Sequence, residues 1–475
     1  MSSQTAASKS ANVKRIVWAV VGIVLALRIG FANPPEGLTR GAMWNLGLLL
    51  WAVVYWATRV FPDYVTGIFM VLIWIIGLKV PANVALGAFS GTTMWLIMST
   101  LVFAIALIKT GLARRVSLWL LRVLPPTYRG QVLGTLLAGI VLGPVVPNGI
   151  AKVTMLGPVA MGMADQSGYD PRSPGMCGLT LAVWAGCVPV GTLLFMTGGS
   201  PNLAVFAALP QAIKNGISWS GWFVAALPLT VLVGVALYLS LITMHKPESP
   251  GVSAERAQTE LRKMGPMSVQ EKRTAVVLAI ALLFWITGNI NKIDAAWVAL
   301  SGAAVLSALN VVDRMSFRNG IDWTFWVYCG IINCIGPVMQ YFKIDGWLVT
   351  VTSPALKSIS GNPYLFLGLA VILTFVGRLV FANLITTGVL MVLILGPIAQ
   401  MAGINPFLIV LVAVGAGALW LLPYINPVYL ALYSVTQEKG FSHEQARKLN
   451  NVFMVVILIG TLLCIPYWRF LGLIK

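Results

Sequence analysis

The chain has 475 residues, 58% hydrophobic and 10% charged, with 32 Lys and Arg against 14 Asp and Glu and a net charge of +18. A soluble domain carries roughly 25% charged residues, so the composition excludes a soluble globular protein and calls for a polytopic membrane protein. The basic residues sit mostly in short loops, as topology determinants and lipid-headgroup contacts do, and no nucleic-acid-binding motif accompanies them.

Cys177, Cys187, Cys329, Cys334 and Cys464 lie in apolar segments without ligand spacing and read as small buried hydrophobes. The two histidines, His245 and His443, fall in polar stretches, and no Ser-His, His-Glu or Asp-Asp constellation is present in an apolar run. Neither an enzyme nor a His-based metal centre is expected.

In chain order, a polar tail and Lys14-Arg15 precede an apolar run over 16–31. This run contains Arg28 and lacks a small-residue cleavage site, so residues 1–41 read as a cytoplasmic tail and a retained first helix. Further runs of spanning length fall at 42–60, 64–80, 93–110, 175–195, 220–244, 274–290, 294–312, 322–340, 405–422 and 451–472, about eleven crossings in all. The apolar stretches 131–163 and 363–401 do not fit single crossings. A rod of about 33 residues would be near 50 Å long, against a hydrocarbon core of about 30 Å. Each is broken near its middle by Gly, Pro and Asn, so a re-entrant hairpin of two half-helices is predicted for each, with its tip lining a cavity.

Three basic clusters set the orientation: Lys14-Arg15, Lys109 to Arg129, and the stretch from His245 to Arg273. All three, and the N-terminus, are expected on the cytoplasmic side of a cell (inner) membrane. The polar stretch 245–273 separates a first repeat, 42–244, from a second, 274–475. Amphipathic pieces over 112–124 and 441–449 are expected to lie along the interface.

The halves carry matching landmarks. Asp63 and Asp294, and Trp95 and Trp326, are each 231 residues apart, while Asn148 and Asn383, and Pro171 and Pro406, are each 235 apart. With an odd number of crossings per half the repeats are inverted, an arrangement typical of secondary transporters with discontinuous helices. After each hairpin comes a further interruption, Phe195 to Asn202 and Leu422 to Tyr429, where Pro and Gly break the helix. Freed carbonyls there can hold a cation, and the following half-helix N-terminus favours an anionic group. Lys152 and Arg378 lie within the hairpins, where no Asp or Glu is present to compensate them, which points to an anion supplied from outside.

Two hairpins with Asn at their tips, each followed by a Pro-broken helix, resemble the divalent anion:sodium symporter family of di- and tricarboxylate transporters, from about residue 42 onward. The family's tips read Ser-Asn-Thr; here they read Pro147-Asn148-Gly149 and Ala382-Asn383-Leu384. The resemblance implies that Asn148 and Asn383 contact the substrate carboxylates at mid-depth. Gly149, Lys152, Thr197, Ser200 and Pro201 would complete one side of that site. Arg378, Thr386, Thr387, Asn426 and Pro427 would complete the other, the two threonines offering hydroxyls in place of those missing from the tip. Candidate sodium sites follow at Pro147, Asn148, Gly198 and Gly199 and at Asn383, Tyr424 and Ile425.

A cation after the first Asn, as Lys152 is, resembles the citrate/succinate and 2-oxoglutarate/malate antiporter branch, where a fixed charge does part of the work of sodium. The expected function is elevator-type transport of a small organic anion, a dicarboxylate first, by a homodimer, with sodium symport and anion exchange both open. An anion channel, or a carrier of inorganic or sulfonated anions, is the alternative.

Overall fold

The computed structural model describes residues 2–247, 255–344, 346, 347, 350, 361–381 and 383–475, so Ala382 at the second tip lies outside the described residues. The fold is all-helical, with one isolated bridge, Ile404 to Ile474, as the only strand-like pairing among them. Seven helices among the described residues are long and apolar enough to cross a membrane, and Asp63–Gly77, Ala295–Ala308 and Phe407–Gly417 are shorter apolar helices.

The internal repeat holds in two pairs of helices. Thr92–Thr110 and Trp323–Tyr341 have equal lengths and lie 231 residues apart (323 − 92). The second arms of the hairpins, Gly149–Gln166 and Leu384–Met401, are likewise equal and lie 235 apart (384 − 149). A hydrogen bond repeats too: Trp56 Nε1 donates to Asp63 O, and Trp285 Nε1 to Ala295 O, both over 3.0 Å.

Both predicted hairpins form. The first pairs Tyr128–Val141 with Gly149–Gln166, somewhat longer than the expected 131–163. The second pairs Pro363–Val380 with Leu384–Met401 over the expected residues. Each of its arms measures about 27 Å at 1.5 Å per residue, long enough to reach well across a bilayer.

Two expectations change. The 441–449 piece is not a separate interfacial helix but the start of His443–Leu463, because the reciprocal Ser442–Gln445 capping box starts a helix that no Pro interrupts. The polar 245–273 stretch holds its own helix, Glu255–Lys263, and ends early, at the Ser268–Glu271 capping box that opens Val269–Ile286. The other amphipathic piece forms as Leu112–Val123, and its Arg115 donates to Glu271 over 2.7 Å, fastening it to the second half.

The interior is built from the two broken helices. Pro174–Ala185 continues through a wide π turn, Gly186–Val190, into Gly191–Leu194, then breaks before Ser200–Ala207. Pro189 removes one backbone donor inside that turn, which accounts for the irregular hydrogen bonding. Phe407–Gly417 breaks before Pro427–Val435. Every residue from Gly175 to Ala185 and of Phe407–Gly417 is buried, so these segments are surrounded by protein on all sides. Trp184 joins them, its ring 5.1 Å from Trp420 and 5.8 Å from Tyr429.

Candidate functional site

Each hairpin tip is stitched to the break of its own half. At the first, Thr197 Oγ1 donates to Pro144 O (2.6 Å) and Ser200 N to Pro147 O (2.8 Å). Neither proline supplies an N–H to the tip, and their carbonyls are taken by the break instead. Trp219 Nε1 donates to Thr197 Oγ1 over 3.2 Å and orients that hydroxyl. Gly198 and Gly199 let the chain pass closely: a Cβ on Gly198 would lie 2.5 Å from Gly191 O.

Lys152 is wholly buried and its Nζ donates to Gly198 O over 2.9 Å. Arg378 does the same in the second half, with Nε on Gly417 O (2.9 Å), Nη1 on Phe381 O (3.2 Å) and Nη2 on Ile425 O. The two cations are therefore not uncompensated, as their distance in sequence from any acid suggested. Carbonyls freed by the breaks receive them, a pairing with no sequence signature. The side chain of Tyr424 lies outside the described residues.

Asn202, in the first turn of its half-helix, and Asn426, the residue that caps the other, serve the same purpose. Asn202 Nδ2 donates to Thr192 O (2.6 Å) and Phe195 O (2.8 Å), and Asn426 Nδ2 to Ala418 O and Leu419 O (both 3.4 Å). These amides gather carbonyls left over where the preceding helix ends. Pro201 and Pro427 stand in the first turns of their half-helices, where a missing N–H does no harm.

The tip amides both cap their own helices. Asn148 Oδ1 accepts from Ala151 N over 3.1 Å, and Asn383 Oδ1 from Ile385 N (2.9 Å) and Thr386 N (3.4 Å). This leaves the Nδ2 donors of both for other work. Asn148 is exposed and its Nδ2 has no partner among the described residues. Asn383 Nδ2 donates to Asp63 Oδ2 over 3.1 Å, and Thr386 Oγ1 lies 3.3 Å from Tyr328 OH. Thr387 Oγ1 turns back onto Asn383 O (3.1 Å). The second tip is thus closed against Asp63 and Tyr328 while the first is open.

The two Asn make no hydrogen bond to each other among the described residues; cross-packing relates their hairpins. A Cβ on Gly149 would lie 3.0 Å from Val428, in the half-helix of the second half, and one on Gly388 would lie 2.5 Å from Val205, in that of the first. Each hairpin therefore lies on the other half's half-helix, and both half-helices begin at the breaks, so the positive ends of their dipoles lie there. Sequence reasoning missed Asp63 and Tyr328 as neighbours of the site; Asp63 stood out only as a landmark of the repeat.

The chain matches the sodium:sulfate symporter transmembrane region over residues 13–474. It is 27% identical over 391 residues to the inner membrane protein YbhI of Escherichia coli, covering 78% of this chain and 80% of that one. It is 27% identical over 296 residues to the L-tartrate/succinate antiporter of E. coli K12, covering 58% of this chain and 59% of that one. Among solved structures it resembles the YdaH transporter of Alcanivorax borkumensis, with a TM-score of 0.59 at 14% identity over 83% of this chain and 89% of that one. It also resembles MtrF of Neisseria gonorrhoeae, with a TM-score of 0.55 at 12% identity over 95% and 94%, and both likenesses speak to the fold. The chain is a membrane transporter, not an enzyme, and belongs to the sodium:sulfate symporter family, the divalent anion:sodium symporter group its tips and breaks resemble.

Proposed function

We propose that this protein exchanges small dicarboxylates across the inner membrane, N-terminus inside, without sodium. The observation that carries the reading is the pair of fixed cations: Lys152 on Gly198 O, and Arg378 on Gly417 O and Ile425 O. A break that binds sodium presents its freed carbonyls to the ion. Here the nearest carbonyls already hold protonated side chains, and Pro147 O is taken by Ser200. At the first break Asn202 Oδ1 is a buried side-chain acceptor without a partner among the described residues. On this reading the tethered charges of Lys152 and Arg378 stand in for sodium at the breaks.

For the substrate, Asn148 and Asn383 supply amide donors, the half-helices beginning at Ser200 and Pro427 turn the positive ends of their dipoles towards the breaks, and Lys152 and Arg378 supply a positive field. A species with two carboxylates matches two such halves, and the tartrate/succinate antiporter among the relatives points the same way. Hairpins and breaks bonded to one another would move as one body past Asp63 and Tyr328, an elevator motion. Purified protein in liposomes loaded with unlabelled succinate should accumulate labelled succinate equally in sodium and in choline media. Uptake that needs an inward sodium gradient would replace exchange by symport, and saturable uptake of sulfate alone would replace the substrate class.

A further inference from the structure

Asp63 does to Asn383 what a substrate carboxylate would do. Its Oδ2 lies 3.1 Å from Asn383 Nδ2, on the one donor of that amide left after helix capping. Arg59 is the charged neighbour acting on the carboxylate, which opens Asp63–Leu72. The repeat gives Asp63 a counterpart in Asp294, 231 residues on (294 − 63), also at the head of its helix. Asp294 caps Ala296 N over 2.8 Å but is otherwise exposed, facing a cavity of about 360 Å³. Lys214 and Lys292 are the other charged groups lining that cavity, and Met196 and Trp219 line it too. Trp219 is bonded to Thr197, which holds the first tip through Pro144. One cavity is therefore lined both by Asp294 and by a residue bonded to the body that carries the unpartnered amide of Asn148.

We propose that Asp63 and Asp294 are alternating internal carboxylates: Asp63 holds Asn383 in the state seen here, and Asp294 holds Asn148 in the opposite state. The inference rests on the reading of Asn148 and Asn383 as substrate amides. A carrier without substrate has its tip latched to an aspartate and moves slowly. A dicarboxylate displaces that aspartate, frees the tip and is carried across, which makes exchange far faster than return of the empty carrier.

The test uses the full chain in proteoliposomes, measuring labelled succinate efflux with and without external succinate. Wild type should show efflux that depends on external succinate, and Asp63→Asn should raise efflux without it about tenfold relative to exchange. No succinate exchange by the wild type would sink the functional reading. Exchange by the wild type with an unaltered ratio in Asp63→Asn would sink the latch. Two cysteine pairs test the geometry independently, and stand alone should Asp63→Asn fail to assemble. Asp63→Cys with Asn383→Cys, and Asp294→Cys with Asn148→Cys, should each cross-link with mercuric ion in liposomes. Failure of the second pair to cross-link would overturn the alternation.

Discussion

Lys152 Nζ donates to Gly198 O over 2.9 Å, and the lysine is wholly shut off from solvent. One bond thereby fixes the second arm of the first hairpin to the break of the helix that follows it. A buried charge survives only with partners of this kind, and carbonyl oxygens are suited to the part because they offer partial negative charge without titrating. The same logic holds Arg378 on Gly417 O and Ile425 O in the other half.

Lys152→Met should leave the Gly198 carbonyl buried without its donor, at a cost of about 1–3 kcal/mol, and remove the positive field from that half. Exchange in sodium-free medium should fall at least about tenfold, the equivalent of ~1.4 kcal/mol in apparent binding. Sodium should restore part of it, because the vacated carbonyl becomes available to an external cation. Labelled succinate uptake in choline against sodium measures both effects, and an unchanged rate in choline counts against the tethered-cation reading.

Arg378→Lys keeps the charge but not the fork. Three carbonyls, those of Gly417, Phe381 and Ile425, are reached by three different guanidinium nitrogens, and an ammonium on a flexible stem cannot serve all of them in these directions. The variant should lose about 1–3 kcal/mol of stability, read as a lowered midpoint of thermal unfolding in detergent, together with most exchange activity. Wild-type behaviour would mean that charge alone matters at this position.

The hairpins and breaks were legible because Pro, Gly and Asn interrupt long apolar runs, and such interruptions have few meanings inside a bilayer. The repeat was legible from Asp63, Asp294 and the two tryptophans, and Thr92–Thr110 and Trp323–Tyr341 keep the same offset. What could not be read was the partner of each cation. Gly198 O, Gly417 O and Ile425 O are backbone atoms, present at every residue, and only the path of the chain makes them special. The continuous helix His443–Leu463 was hidden differently, since its polar first turns resemble a surface helix by composition while its capping box and unbroken ladder join them to the crossing.

Gly186 should be among the least replaceable small residues. A Cβ there would lie 2.1 Å from Leu136 O, a backbone atom of the first arm of the hairpin. Two backbones held that closely cannot separate without displacing the tip from its break. Gly186→Ala should cost about 1–3 kcal/mol or more and reduce exchange, whereas Gly87→Ala, with nothing within 4 Å of its Cβ, should change neither. Thermal unfolding of the two variants side by side checks the contrast, and equal midpoints would show that the interface yields easily.

His245 predicts an acid limit for the fold. It ends Trp219–Met244, its carbonyl accepts from Tyr128 OH over 2.6 Å, and its ring lies 3.9 Å from Cys177 Sγ. Burial, with a smaller contribution from the nearby Lys448, pushes its pKa from 6.5 down to about 4. The folded state therefore disfavours the proton that the unfolded chain takes up near 6.5. Stability from this residue is fully present above that value, declines as the pH falls, and is gone by about 4. A shift of this size corresponds to on the order of 3 kcal/mol. Unfolding midpoints measured from pH 7 to 4 should fall in the wild type and fall less steeply in His245→Gln, which keeps a polar side chain but binds no proton. Parallel curves for the two proteins would place the acid sensitivity elsewhere and leave the Tyr128–His245 contact a purely structural tie between the first hairpin and the end of the first repeat.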